Sequence, residues 1–137
     1  MIVNTFRGDV FKTNCAHIAF AVNTKGYNDG GFAGQVSSSH WPELADTGGN
    51  KLGDVLSKKS KGKTFHALVC HSLGVEGWKN TPQTVTECLD ALNVPDDEIV
   101  AVVLMGAGAI GQTEGADVFA ILGGIARSKK KVAIYTR

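Results

Sequence analysis

The sequence is poor in several things, and each shortage removes a class of function. Its 137 residues hold three cysteines, Cys15, Cys70 and Cys88, and no two of them stand at metal-ligand spacing. Neither a disulfide scaffold nor a zinc module is expected. A sparse, odd set fits a reducing compartment, and each cysteine has apolar neighbours that suit core packing. No apolar run reaches membrane length and no secretory h-region opens the chain, so a cytoplasmic protein without membrane contact is expected. The net charge is only +1, too small to direct the chain to nucleic acid by its overall field. Lysines do cluster, at Lys58, Lys59, Lys61 and Lys63 and again at Lys129, Lys130 and Lys131. They read as solvated turn and edge residues, with a surface for a phosphate polymer as the alternative. No metal and no cofactor is expected, and the chain is read as a monomer.

What is present is an ordinary soluble composition, 43% hydrophobic and 20% charged, over a length that suits one domain, residues 1–137. Residues 2–6 read as a short strand. Residues 16–22 form an apolar run of strand length, buried on both faces. A turn-rich loop follows over 23–31, then a helix from Gly31 to before Pro42. Residues 55–58 and 65–70 read as strands around a turn at 60–62. Thr81-Pro82 offers a capping hydroxyl and a proline at the first helical position. Val85, Cys88, Leu89 and Leu92 then share one helical face. Residues 99–105 are a β-branched run, a central strand. A helix is expected over 114–127 with Val118, Leu122 and Ile125 on one side, and with Gly115, Gly123 and Gly124 allowing close approach to the sheet. Residues 132–136 form the last strand. Together these predict an α/β fold, a mixed sheet with helices on both faces, whose ligands bind beyond the carboxyl ends of the strands.

The 17 glycines concentrate in loops, and two loops matter. Gly30-Gly31-Phe32-Ala33-Gly34 and Gly106-Ala107-Gly108-Ala109-Ile110-Gly111 each lie between a buried strand and a helix. Glycine there lets a bulky anion approach the main chain, and the following helix start offers free N–H groups and a partial positive charge. Two such loops suit a clamp on two phosphates. The second also matches G-x-G-x-x-G. That fingerprint expects an acidic residue about twenty positions on, whereas this chain ends its last strand on Thr136 and Arg137. An NAD-dependent dehydrogenase is therefore not the reading.

The ordered set of motifs resembles the macrodomain family over nearly the whole chain. Phe6-Arg7-Gly8-Asp9-Val10 is similar to that family's early G-D-[IV] segment. Phe20-Ala21-Val22-Asn23 with Asp29-Gly30-Gly31-Phe32-Ala33-Gly34 is similar to its N-A-A-N…G-G-G-[VI]-A-G stretch. The segment from Leu104 to Gly111 resembles its second diphosphate loop, and Lys131 to Thr136 its final strand. Residues 53–92 and the ending Ile134-Tyr135-Thr136 most resemble the terminal ADP-ribose protein glycohydrolase branch. The resemblance implies a three-layer α/β/α macrodomain-like sandwich that binds ADP-ribose or ADP-ribosylated protein. It implies that Asp9 accepts from the adenine amino group, that the Val10 N–H meets the adenine ring and that Tyr135 lies against its face. Gly30, Gly31 and Phe32 would hold one phosphate, and Gly106, Ala107, Gly108, Ala109, Ile110 and Gly111 the other. Asn23 would bond the terminal ribose. The chemistry suits each role: a carboxylate only accepts, and an amide both donates and accepts. Structural alternatives stand beside these roles, since Asp9 can cap a turn, Asn23 can make one and Tyr135 can simply pack.

Several positions depart from the family pattern. Phe20 stands near the first asparagine, and Asp29 opens the glycine triplet. The glycohydrolase branch uses a lysine and an acidic partner; here those places read Cys70-His71-Ser72 and Ala109-Ile110. A Schiff-base step requires the missing amine. Hydrolysis of an ADP-ribosyl linkage or phosphate ester would instead rest on Asn23, with His71 as acid or base. Binding of ADP-ribose is the first reading, hydrolysis the second, and a divergent site for another nucleotide, RNA or a protein partner the third.

Overall fold

The computed structural model describes residues 1–26, 31–72, 77–105 and 115–136. Six strands form one sheet: β1 (Ile2–Arg7), β2 (His17–Asn23), β3 (Val55–Ser60), β4 (Lys63–His71), β5 (Ile99–Val103) and β6 (Lys131–Thr136). The order is β1-β6-β5-β2-β4-β3. Every neighbouring pair is parallel except β3 with β4, so the sheet is mixed as expected. The inner strands alternate little because both faces are covered: all of Ile18, Ala19 and Phe20 in β2 are buried. Two separate cores result. On one face α2 (Thr81–Asp90) and α3 (Val118–Arg127) bring Val85, Cys88, Leu89, Ile121 and Ile125 against Ala19, Leu68, Val100, Val102, Val132 and Ile134. On the other, α1 (Gly31–Ser39) and 3-10 turns at Val10–Lys12 and Pro42–Asp46 bring Val10, Val36, Trp41 and Leu44 against Ile18, Phe20, Phe65 and Ala67.

Several local expectations are corrected. Thr81 is inside α2 and does not cap it; the cap position is Asn80, and the Thr81 hydroxyl donates to the Cys70 carbonyl (2.7 Å), tying the helix start to the end of β4. Helix α3 begins only at Val118, after Asp117, whose carboxylate accepts from the Ala120 N–H (3.1 Å) as an N-cap should. Its buried face is Ile121, Gly124 and Ile125; of the expected Val118, Leu122 and Ile125, Ile125 is fully buried and Leu122 packs half-buried against the same core. Gly124 meets α2 and not the sheet: a Cβ there would lie 2.2 Å from the Pro82 carbonyl oxygen. The lysine clusters are only partly solvated. Lys61 donates to the Ser39 carbonyl at the end of α1 (3.2 Å), and Lys63 to the carbonyls of Thr13 (2.5 Å) and Cys15 (2.7 Å). Lys130 is buried, bonded to the Val94 carbonyl and to Asp96 (2.7 Å). Lysine serves here as a donor to carbonyls that no strand or helix satisfies. Among the described residues no helix is long and apolar enough to cross a membrane.

Candidate functional site

The connectivity marks where a crevice is expected before any side chain is considered. Strand β2 leads through α1 toward β4 on one side, while its neighbour β5 leads through α3 to β6 on the other. Helices α1 and α3 also lie on opposite faces. The carboxyl ends of β2 and β5 therefore diverge, which is the topological switch point where open α/β sheets bind ligands. The two glycine loops of the sequence follow these two strands. Of the first, Gly31, Phe32, Ala33 and Gly34 are described: Gly31 opens α1 with φ 58°, and a Cβ there would meet nothing within 4 Å. Gly30 and Asp29, and Gly106, Ala107, Gly108, Ala109, Ile110 and Gly111, lie outside the described residues.

Three further strand ends bring the remaining candidates to the same edge. Phe6, Tyr135 and Val103 lie abreast on β1, β6 and β5. The Gly8 N–H donates to the Thr136 carbonyl (2.7 Å), which holds Asp9 and Val10 directly beyond β1. Asp9 caps the turn that begins at Val10, its Oδ1 accepting from the Phe11 N–H (3.0 Å). A carboxylate has acceptor capacity beyond one bond, so the cap and an amine ligand are compatible. Val10 itself is buried in the core beside α1. Tyr135 stacks on Phe6, ring centroids 5.1 Å apart, and its hydroxyl donates to Thr13 Oγ1 (2.8 Å). Phe6 is 43% exposed, so the pair presents an aromatic edge that the sequence alone did not single out.

On the other side of the switch point, Asn23 pairs with His71 across β2 and β4 after a register shift. Asn23 is buried and makes a turn: its Oδ1 accepts from the Lys25 N–H (3.1 Å). The Thr24 N–H donates to the His71 carbonyl (3.0 Å), locking the two strand ends together. His71 is 2% exposed and lies flat against Trp78, centroids 4.0 Å apart and planes 11° apart. The loop after β2 is braced from below, because a Cβ on Gly26, at φ 76°, would lie 2.5 Å from the Gly48 nitrogen. Phe20, at the place of the missing asparagine, is 1% exposed and meets Phe32 edge-on (5.3 Å). Phe32 also stacks on Phe11 (5.1 Å), so what it can offer a phosphate is its backbone, not its ring. A groove of about 480 Å³ runs along α1 from Gly31 to His40, walled by Phe11.

This chain matches no family model and no curated protein in sequence. Solved structures do match. The macrodomain of Mycobacterium tuberculosis DarG is similar over 100% of this chain and 98% of its own, with TM-score 0.67 and 15% identity. The macrodomain of Thermus aquaticus DarG is similar over 100% and 99%, with TM-score 0.63 and 15% identity. The chain has the macrodomain fold. An alphavirus structure described as P23pro-zbd also aligns, over 96% of this chain with TM-score 0.64 and 17% identity, and there the chain spans only 21% of the other's length. In this chain Gly8-Asp9-Val10 follows β1, Asn23 ends β2 and Tyr135 is next to last in β6.

Proposed function

We propose that the crevice at the ends of β2 and β5 binds ADP-ribose or a derivative of it, free or attached to protein. The observation that carries this reading is the convergence of unlike groups on one switch point. An acceptor (Asp9) and an aromatic edge (Tyr135 on Phe6) stand at the ends of β1 and β6, an amide (Asn23) at the end of β2, and the helix start opened by Gly31 follows β2. A nucleotide diphosphate sugar needs all of these. Asp9 would accept from the adenine amine and the Val10 N–H would donate to the ring, with Tyr135 alongside. The first turn of α1, with Gly30, Gly31 and Phe32, would hold one phosphate and residues 106–111 the other; Asn23 would meet the terminal ribose. The macrodomain fold supports the same reading. The free thiols Cys15, Cys70 and Cys88 suit a reducing cytoplasm. The test is calorimetric titration with ADP-ribose, AMP and NAD. Micromolar binding of ADP-ribose alone supports the proposal, AMP or NAD binding equally well points to another nucleotide, and no binding of any overturns it.

Hydrolysis of an ADP-ribosyl linkage draws support from one feature, the side-by-side placement of Asn23 and His71. His71 is 2% exposed, so proton transfer between its ring and a ligand requires the side chains that cover it to move aside. Release of ADP-ribose from modified protein, compared between the wild type and Asn23→Ala, separates the readings. Turnover that falls further than affinity marks an enzyme, and equal losses mark a binding site.

A further inference from the structure

At the opposite end of the sheet from the crevice, four polar side chains form a continuous chain on the face that α2 and α3 cover. Ser57 Oγ lies 2.7 Å from His66 Nδ1; His66 Nε2 lies 2.9 Å from His17 Nδ1; His17 Nε2 lies 3.6 Å from Glu98 Oε1. Three strands and the segment before β5 supply them. His66 is 4% exposed while Ser57, on the edge strand β3, is open to solvent. Only one proton arrangement satisfies all three contacts with both rings neutral and Glu98 ionised. The Ser57 hydroxyl donates to His66 Nδ1, His66 Nε2–H donates to His17 Nδ1, and His17 Nε2–H faces the carboxylate. A hydroxyl bonded to an imidazole that a further group orients toward an acid is the arrangement of an activated nucleophile.

The backbone completes it. Lys61 (φ 52°) and Gly62 (φ 80°) make a two-residue turn, which closes on Ser60 and Lys63 as a hydrogen-bonded pair. Pairing alternates from there, so Ser57 and His66 face each other at a non-hydrogen-bonded position. Side chains approach closely at such positions, and the Ser57 N–H turns outward from the sheet edge beside its own hydroxyl. It can donate to an oxyanion forming on an acyl group attached there.

We propose that Ser57 is the nucleophile of a second site, which takes an acyl group from an activated ester, with His66 as its base and His17 and Glu98 as positioning residues. Oγ bonds to the carbonyl carbon as its proton passes to His66 Nδ1. The ester C–O bond then breaks, the leaving oxygen takes that proton, and water repeats the path to free the acid. Burial, and then His17, lower the pKa of His66 to about 4, which keeps its ring an acceptor at neutral pH. Glu98 is the charged group next to His17. Lys58 and Lys59 follow Ser57 in β3, and Lys59, two residues on, shares its face of the sheet and favours an anionic leaving group.

The test is incubation of the whole chain with p-nitrophenyl acetate, following phenolate release and locating the acetyl group by peptide mass. The expected result is one acetyl on Ser57, absent in Ser57→Ala, and formed about 100-fold more slowly in His66→Gln. Because His66 is buried, Glu98→Gln at the half-exposed end of the chain is the second arm. It should slow acetylation about tenfold, because the His17 ring loses the carboxylate that orients it, and Glu98→Asp, which keeps a carboxylate, should restore part of the rate. Acetylation confined to lysines, or an unchanged rate in Glu98→Gln, overturns the proposal. Neither result bears on the crevice, which lies at the other end of the sheet.

Discussion

Asp9 has two tasks that one substitution separates. Asparagine keeps an oxygen for the Phe11 N–H, so Asp9→Asn should preserve the turn and leave the melting temperature unchanged. It replaces a charged acceptor by an amide that also donates, which removes about 1.5 kcal/mol of a charge-assisted bond to an amine. ADP-ribose affinity should fall about tenfold in calorimetry; unchanged affinity would make Asp9 a cap and nothing more. Residue chemistry also sets the acid limit of the fold. His66 titrates near its ordinary value of 6.5 when unfolded and near 4 when folded, through burial first and His17 second. The folded state thus binds a proton less readily. Stability is full above about pH 6.5, falls as pH drops toward 4 and is level below it, with a loss of up to about 3 kcal/mol. Urea midpoints at pH 7.5, 5.5 and 4 measure this, and His66→Gln should flatten the slope; a slope unchanged in that variant would place the acid sensitivity elsewhere.

At the scale of elements, α2 and α3 cross where Gly124 touches Pro82. The Thr86 hydroxyl also donates to the Gly124 carbonyl there, and Asp90 accepts from the Ser128 hydroxyl (2.6 Å) and the Lys129 N–H (3.0 Å). A methyl group at 124 must push backbone apart, so Gly124→Ala should destabilise by about 2–3 kcal/mol. Gly123, one residue away, has nothing within 4 Å of a Cβ, and Gly123→Ala should stabilise by up to about 1 kcal/mol through helix propensity. Opposite shifts in thermal melting check the pair, and equal shifts would show that the crossing tolerates a side chain. The sequence could not separate these glycines, because adjacent positions differ only in which face they turn, and the face follows from where α3 starts. That start was misplaced because a G-A-D run gives no periodicity, although Asp117 three positions before Ala120 is a readable cap. Strands were legible for the converse reason: residues 18–22 and 99–103 are apolar on both faces, as a strand covered on both sides must be. Thr81 misled because hydroxyl-then-proline reads as a cap, while a buried carbonyl at Cys70 claimed the hydroxyl.

At the scale of the molecule, the two ends of one sheet carry different chemistry, and the parallel strands are the reason. Every parallel strand ends at the same edge, so Asp9, Asn23, His71 and Tyr135, scattered over the chain, arrive together. Their common placement at that edge was legible because each stands at, or within two residues of, the end of a strand run. The Ser57–His66–His17–Glu98 chain was not, since it depends on strand register and on which neighbour stands beside which, and spacing along the sequence carries neither. The division makes a global prediction. If ADP-ribose binds the crevice, saturating ligand at about 100 times Kd should raise folding stability by about 2.7 kcal/mol. Amide hydrogen exchange should slow at residues 8–13, 23–26, 31–34 and 104–111 beyond this uniform gain, and not in the hairpin 55–71 short of its end at His71. Extra protection centred on Ser57 and His66 would instead place the nucleotide at the far end of the sheet, and the crevice would lose its claim to it.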